Sequence, residues 1–542
     1  MPNPPAIDTS VLITILGLIA AVWAVVPSST RLRFRLGMSW FDWCIAIGVL
    51  LLIHYLVFEQ ALRSVGLYYS FGPWKWGFDK GSAVYSLLLG LGLYILFRAR
   101  TPKLAKGKIG TFEVLVNNFL LTKRYDELFV LIEPHLFKLF KFAKHRSWLI
   151  RIVKKITPAS PPSKLRMENG ELQLCEAREG AVKSLLRSVL TWLDSKLSAR
   201  DSLADKARIL LKTILNQPQF VAYLSVCHPY FCLKILSIPE VVREEFTELF
   251  VSALIADSNS LLYSELKNNR NLNGQYRLFL PRSNRILHFL FQDITTAERL
   301  ALYQPIGENV CRFIDEDQKL IEAYNRSLGY YEQTGKYRCP IYAGIKLFEI
   351  MIHEGIHQGT QDHLWLFYFT HFTDKILKQL RDQQPDDSIH EWPTPFHFLL
   401  YEIVSITSNW IDDCFEVDVS LVTDQISNAP GFDGHYISKQ AAEALGTITQ
   451  CILRSNKIDD RFKAYVLEIS LGKLERFQNR KDAASVTRTF ISSIIFVSGY
   501  AKEGYHQELY RIYKRLDHVL RGNVKGFDQA IKKHMNDMGF DM

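Results

Sequence analysis

Residues 353–357 read His-Glu-Gly-Ile-His, a His-Glu-x-x-His pattern. On a helix, residues four apart stand one turn above each other on one face, so His353 and His357 could both ligate one zinc ion. Glu354, next to them, could act as general base on a metal-bound water. A helix is what the flanks predict: Pro340 suits a first helical turn, and Gly359 suits the position just past a last one. The alternative is a core helix whose histidines are hydrogen-bonded and bind nothing.

A catalytic zinc needs a third protein ligand. His363 lies ten residues after His353, a spacing that resembles the metzincin metalloproteases over these eleven residues. The resemblance implies His363 as that ligand. It departs from the family pattern at Thr360, where the family has Gly, and no methionine lies between Met351 and Met535 to form the family's methionine turn. A carboxylate could serve instead, from Glu402 on a helix starting near Pro395, or from Glu391. Six histidines fall between 353 and 397, namely His353, His357, His363, His371, His390 and His397. Cys227 and Cys232 form a single C-x4-C pair and read as core thiols. No phosphate-binding glycine loop, nucleophile elbow or kinase signature accompanies these groups.

The elements that would position this chemistry are helices. The chain has 542 residues, 48% of them hydrophobic and 22% charged, enough for more than one domain. Three stretches are long and apolar enough to cross a bilayer: residues 11–27, 41–58 and 81–97. Arg31, Arg33 and Arg35 follow the first, and Arg98, Arg100, Lys103, Lys106 and Lys108 follow the third. The positive-inside rule puts both clusters in the cytoplasm. It predicts a multi-pass protein with its N-terminus outside and residues 98–542 inside. No basic segment precedes the first stretch, so it reads as a span rather than a cleaved signal. The aromatic segment 67–78 reads as a belt at the outer headgroups, with a ligand-binding loop as the other reading.

Charge is unevenly placed. Residues 1–97 carry +2, residues 98–166 carry +12 and the remainder carries −5. A basic surplus directly behind the last span favours a membrane surface over nucleic acid as partner. Within residues 136–156, Lys138, Lys141, Lys144, Arg151, Lys154 and Lys155 interleave with apolar residues and could face anionic headgroups.

The expected organisation is therefore a membrane domain over 1–100, a basic juxtamembrane segment over 101–156, a proline-rich linker over 157–171 and a cytosolic helical domain over 172–542. Apolar residues from Val182 to Leu197 recur at helical spacing. Strand signatures are scarce, and Asn273-Gly274 and Asp433-Gly434 sit in polar loops rather than between alternating runs. The fold class read here is all-α, with an irregular helical-repeat character. The functional expectation is a membrane-anchored interaction or sensing protein with a protein partner and no required cofactor. A membrane-tethered zinc metallohydrolase is the alternative.

Overall fold

The computed structural model describes residues 36–69, 80–100, 104, 108–144, 164–168, 171–175, 202–238, 244–269, 280–360, 363–381, 392–416, 433–480, 483–496 and 504–537, with a few isolated positions elsewhere. The chain divides into two compact units, Met1–Phe220 and Val221–Met542. Both are built mainly of helices, with one β-hairpin in the first.

In the first unit, α1 (Trp40–Val57) and α2 (Lys80–Arg100) form a hairpin, followed by α3 (Ile109–Leu121), α4 (Tyr125–Ile132), α5 (Leu136–Lys144) and α6 (Ser202–Leu215). Ser39 starts α1 with a capping box. Its hydroxyl accepts from the Asp42 N–H, and the Asp42 carboxylate accepts from the Ser39 N–H at 2.7 Å. That reciprocal pair satisfies two of the donors every helix start leaves open. Ile53 and Leu56 of α1 pack on Ala83 and Val84 of α2, while Asp42 meets Tyr94 and Arg98 at the other end. The two helices are thus antiparallel.

Two helices are long and apolar enough to cross a membrane: Trp40–Val57, with mean hydropathy 1.9, and Gly81–Arg98, with 1.5. They match the second and third sequence spans. The first, over 11–27, lies outside the described residues, as do most of the aromatic loop and Arg151, Lys154 and Lys155.

The linker expectation needs one correction. Residues 164–175 include an antiparallel pair, β1 (Lys164–Glu168) and β2 (Glu171–Cys175), with Lys164 opposite Cys175 and Glu168 opposite Glu171. The two residues between the strands are Asn169 and Gly170. Asn-Gly is a strong two-residue hairpin signal, here flanked by alternating Leu165, Met167, Leu172 and Leu174.

The second unit carries the histidine motif. Its helices used below are α7 (Glu244–Ala256), α8 (Arg285–Phe291), α9 (Ile294–Arg299), α10 (Tyr303–Glu316), α11 (Pro340–His357), α12 (Leu366–Gln379), α13 (Pro395–Glu416), α14 (Tyr436–Arg454), α15 (Asp460–Gln478) and α16 (Ala484–Ile495). Helix α11 packs on α10 and α13; α14 packs on α12, α13 and α16. Phe348, Phe369, Phe372, Phe396 and Trp410 are fully buried where these helices meet. Close approach is built in by small residues. A Cβ on Gly307 of α10 would fall 2.2 Å from the Tyr368 ring, so glycine there lets α12 lie against α10.

Candidate functional site

Helix α11 begins and ends as its sequence dictates. Pro340 occupies the first turn, and Cys339 caps it by accepting from the Tyr342 N–H at 3.2 Å. Gly359 follows the last turn with φ +72°, a left-handed conformation that favours glycine. The His-Glu-x-x-His segment is therefore on a helix.

Its side chains go to different neighbours. His353 Nδ1 lies 3.2 Å from Asp413 Oδ2 on α13. Glu354 is buried and accepts from Gln358 Nε2 at 2.8 Å. The same Gln358 side chain accepts from the Ile294 N–H at the start of α9 and also reaches the Gln292 carbonyl. Glu354 is thus part of a hydrogen-bond chain that joins the end of α11 to the turn before α9.

The candidate third ligands lie elsewhere. His363 is buried, and its Nε2–H donates to the Thr360 carbonyl at 3.1 Å. Its ring stacks on Trp365 at 4.7 Å and lies 5.3 Å from Trp410. Burial pushes its pKa down to about 3, so it is neutral at ordinary pH. His363 also rests on Gly355, with Nε2 3.3 Å from where a Cβ would stand. Position 355 is two residues from both His353 and His357. That places it roughly 200° round the helix from each, so His363 packs on the side away from the pair.

Glu402 faces Lys346 at 3.9 Å, and Lys346 also pairs with Glu349. Lys346 precedes His353 by seven residues, about 10 Å of helix rise. Asp413, the neighbour of His353, lies eleven residues beyond Glu402, about 16 Å along α13. Glu402 therefore belongs to a different level of the helix pair. Its carboxyl is raised by burial, with Lys346 opposing.

Among the described residues, no three His, Cys, Asp or Glu side chains form a group that could hold a metal. His371 lines a surface groove, and His397 is buried beside Thr394, with Oγ1 2.8 Å from Nδ1. Glu391 and His390 lie outside the described residues. Cys232 is buried, and Cys227 is exposed.

The hairpin of the first unit has its own polar site. Arg98 pairs with Asp42 and also donates to the Gly37 carbonyl, while the Tyr94 hydroxyl donates to the second oxygen of the same carboxylate. Asp42 is 3% exposed, and its carboxylate is surrounded by these donors, as a buried polar group requires. Many apolar side chains of the hairpin are exposed, including Phe41, Ile47, Leu51, Leu93 and Phe97. Only 17% of the α1 window and 11% of the α2 window are buried.

The basic residues of α5 divide as well. Lys138 Nζ donates to the Leu104 carbonyl at 2.6 Å and lies over the Phe142 ring. Lys141 and Lys144 are exposed. The apolar face of α5 (Leu136, Leu139, Phe140, Phe142 and Ala143) is buried, and α5 packs on α6.

The surface groove in the second unit lies between α7, α10 and α12 and encloses about 820 Å³. Glu248, Glu308, Asp315 and Glu316 line it against Arg312 and Lys375, with Phe367 exposed on α12 and Leu364 exposed just before that helix. Tyr368 donates to Glu308 across it, and Lys375 pairs with Asp315. Sequence reasoning missed this groove, since its residues come from three separate segments with no shared motif. No protein-family model, curated protein or solved structure matches the chain.

Proposed function

We propose that this chain is a membrane-anchored helical interaction protein that holds a protein partner at the cytoplasmic face. The observation that carries the reading is the α1–α2 hairpin. A core helix buries most of its apolar surface, whereas only 17% and 11% of the residues in the α1 and α2 windows are buried. Lipid is the environment that accepts such a surface. The paired Asp42 and Arg98 sit at one end of the hairpin, as charges near a membrane boundary do, and Arg31, Arg33, Arg35 and the basic run from Arg98 to Lys108 favour that end as the cytoplasmic one. With a net acidic lining and two exposed apolar anchors, the groove between α7, α10 and α12 suits a basic partner segment.

Alkaline carbonate washing of membranes from expressing cells tests the anchor. The chain is expected in the pellet, and its recovery in the supernatant overturns the reading. In sealed vesicles with the cytoplasmic face outward, added protease should remove a C-terminal tag. Protection of that tag reverses the orientation. For the groove, crosslinked neighbours recovered with the full chain should be lost when Glu248 and Glu316 are changed to Lys. Unchanged recovery removes the groove from the reading.

A further inference from the structure

The apolar side of α5 is packed within the first unit, and its outer side is exposed. Phe137, Lys141 and Lys144 all lie on that outer side, at i, i+4 and i+7, which makes them one stripe along the helix. Phe137 is 45% exposed. A single exposed aromatic is ordinary on a protein surface. What distinguishes this one is the lysine pair beside it and the place where the helix is held.

That place follows from chain geometry. Lys138 fastens α5 to the carbonyl of Leu104. Leu104 comes four residues after Arg100, the last residue of α2. Four residues reach at most about 14 Å. Helix α5 is therefore held close to the end of the hairpin where Arg98 meets Asp42. Helix α5 itself contains three lysines and no acidic residue.

We infer that the outer stripe of α5 is a lipid-contact surface, with Phe137 seated among the headgroups and Lys141 and Lys144 against anionic phosphates of the bilayer that holds the hairpin. The inference rests on the reading of α1–α2 as a membrane hairpin. It moves the contact from the apolar face of the helix, which is packed, to the opposite face. A cation within about one Debye length (~8–10 Å) of an anionic surface is attracted to it, and an aromatic ring is favoured at the headgroup level.

The test uses the full chain in nanodiscs, with p-benzoylphenylalanine in place of Phe137. The discs are made of phosphatidylcholine, with or without one-third phosphatidylserine. Illumination should leave a lipid-mass adduct on the peptide containing position 137, in higher yield with phosphatidylserine. The yield should fall about fivefold or more when Lys141→Glu and Lys144→Glu are added. The same probe at Tyr330, 84% exposed in the second unit, reports background. An adduct at 137 no greater than at 330, or one formed to protein instead of lipid, overturns the inference while leaving the hairpin reading intact. A chain that never enters the disc overturns both. Circular dichroism of the lysine variant, both of whose changes are at exposed positions, checks that the helices persist.

Discussion

Arg98 closes onto the carboxylate of Asp42, 56 residues earlier in the chain, and ties the last turns of α2 to the first turn of α1. The side chains are 16% and 4% exposed. Breaking such a pair on one side leaves a buried charge without its counterpart, at a cost of about 3–5 kcal/mol. Asp42→Ala and Arg98→Ala should each lower the thermal unfolding temperature of the detergent-solubilised chain. The double variant should lose less than the two single losses added together. Additive losses would mean that the two groups are not coupled.

Acid should destabilise the chain through its buried histidines. Burial holds His363 down to about 3 and His397 down to about 4. Both are neutral in the folded chain at pH 5, whereas the unfolded imidazoles take up protons near 6.5. Between those values the unfolded state binds the extra protons, so stability falls as pH falls. The slope is about 1.4 kcal/mol per pH unit for each histidine well below the unfolded pKa. Thermal melts from neutral to mildly acidic pH should show it. His363→Gln should be less stable at neutral pH, through lost stacking between the tryptophans, and should give a shallower pH dependence. An unchanged slope in that variant would refute the assignment.

The separation of His363 and Glu402 from the His353 and His357 pair bears on metal content. Purified full-length chain should carry well under one zinc per molecule by elemental analysis, and His353→Ala should not change it. The same variant should instead be less stable, since it leaves the Asp413 carboxylate, 9% exposed, without its imidazole neighbour. One zinc per chain, lost on His353→Ala with the fold intact, would restore the hydrolase reading.

Two glycines should respond oppositely to alanine. A Cβ on Gly446 of α14 would stand 1.7 Å from Ser493 Oγ and 2.6 Å from Ser493 Cβ on α16. Gly446→Ala should cost about 1–3 kcal/mol by overpacking. Gly472, inside α15, has nothing within 4 Å of the same position. Gly472→Ala should stabilise by about 0.5–1 kcal/mol, as alanine does in an open helix interior. Chemical denaturation of both variants checks the pair, and losses in both would show that α15 is packed on that side.

Much of the architecture follows from the residues themselves. Hydropathy marks α1 and α2 to within a few residues, since a high mean hydropathy over eighteen positions is a local property. Pro340 and Gly359 bound α11 for the same reason: caps and stops depend on neighbours in sequence. Asn169-Gly170 between alternating apolar residues is an equally local signal for the β1–β2 hairpin.

Convergence was not legible. His353 meets Asp413 sixty residues on, while His363, ten residues on, turns to Gly355 and two tryptophans. Spacing along one helix fixes which residues share its face, but not which face a neighbouring helix covers. That choice depends on packing, where glycines such as Gly307 and Gly355 admit close approach and bulky rings fill what remains. The sequence by itself thus determined a helical chain with an apolar hairpin and a basic collar. Only the tertiary structure decided that His363 turns away from the motif pair, that Lys138 is committed to Leu104, and that three helices far apart in sequence line a groove.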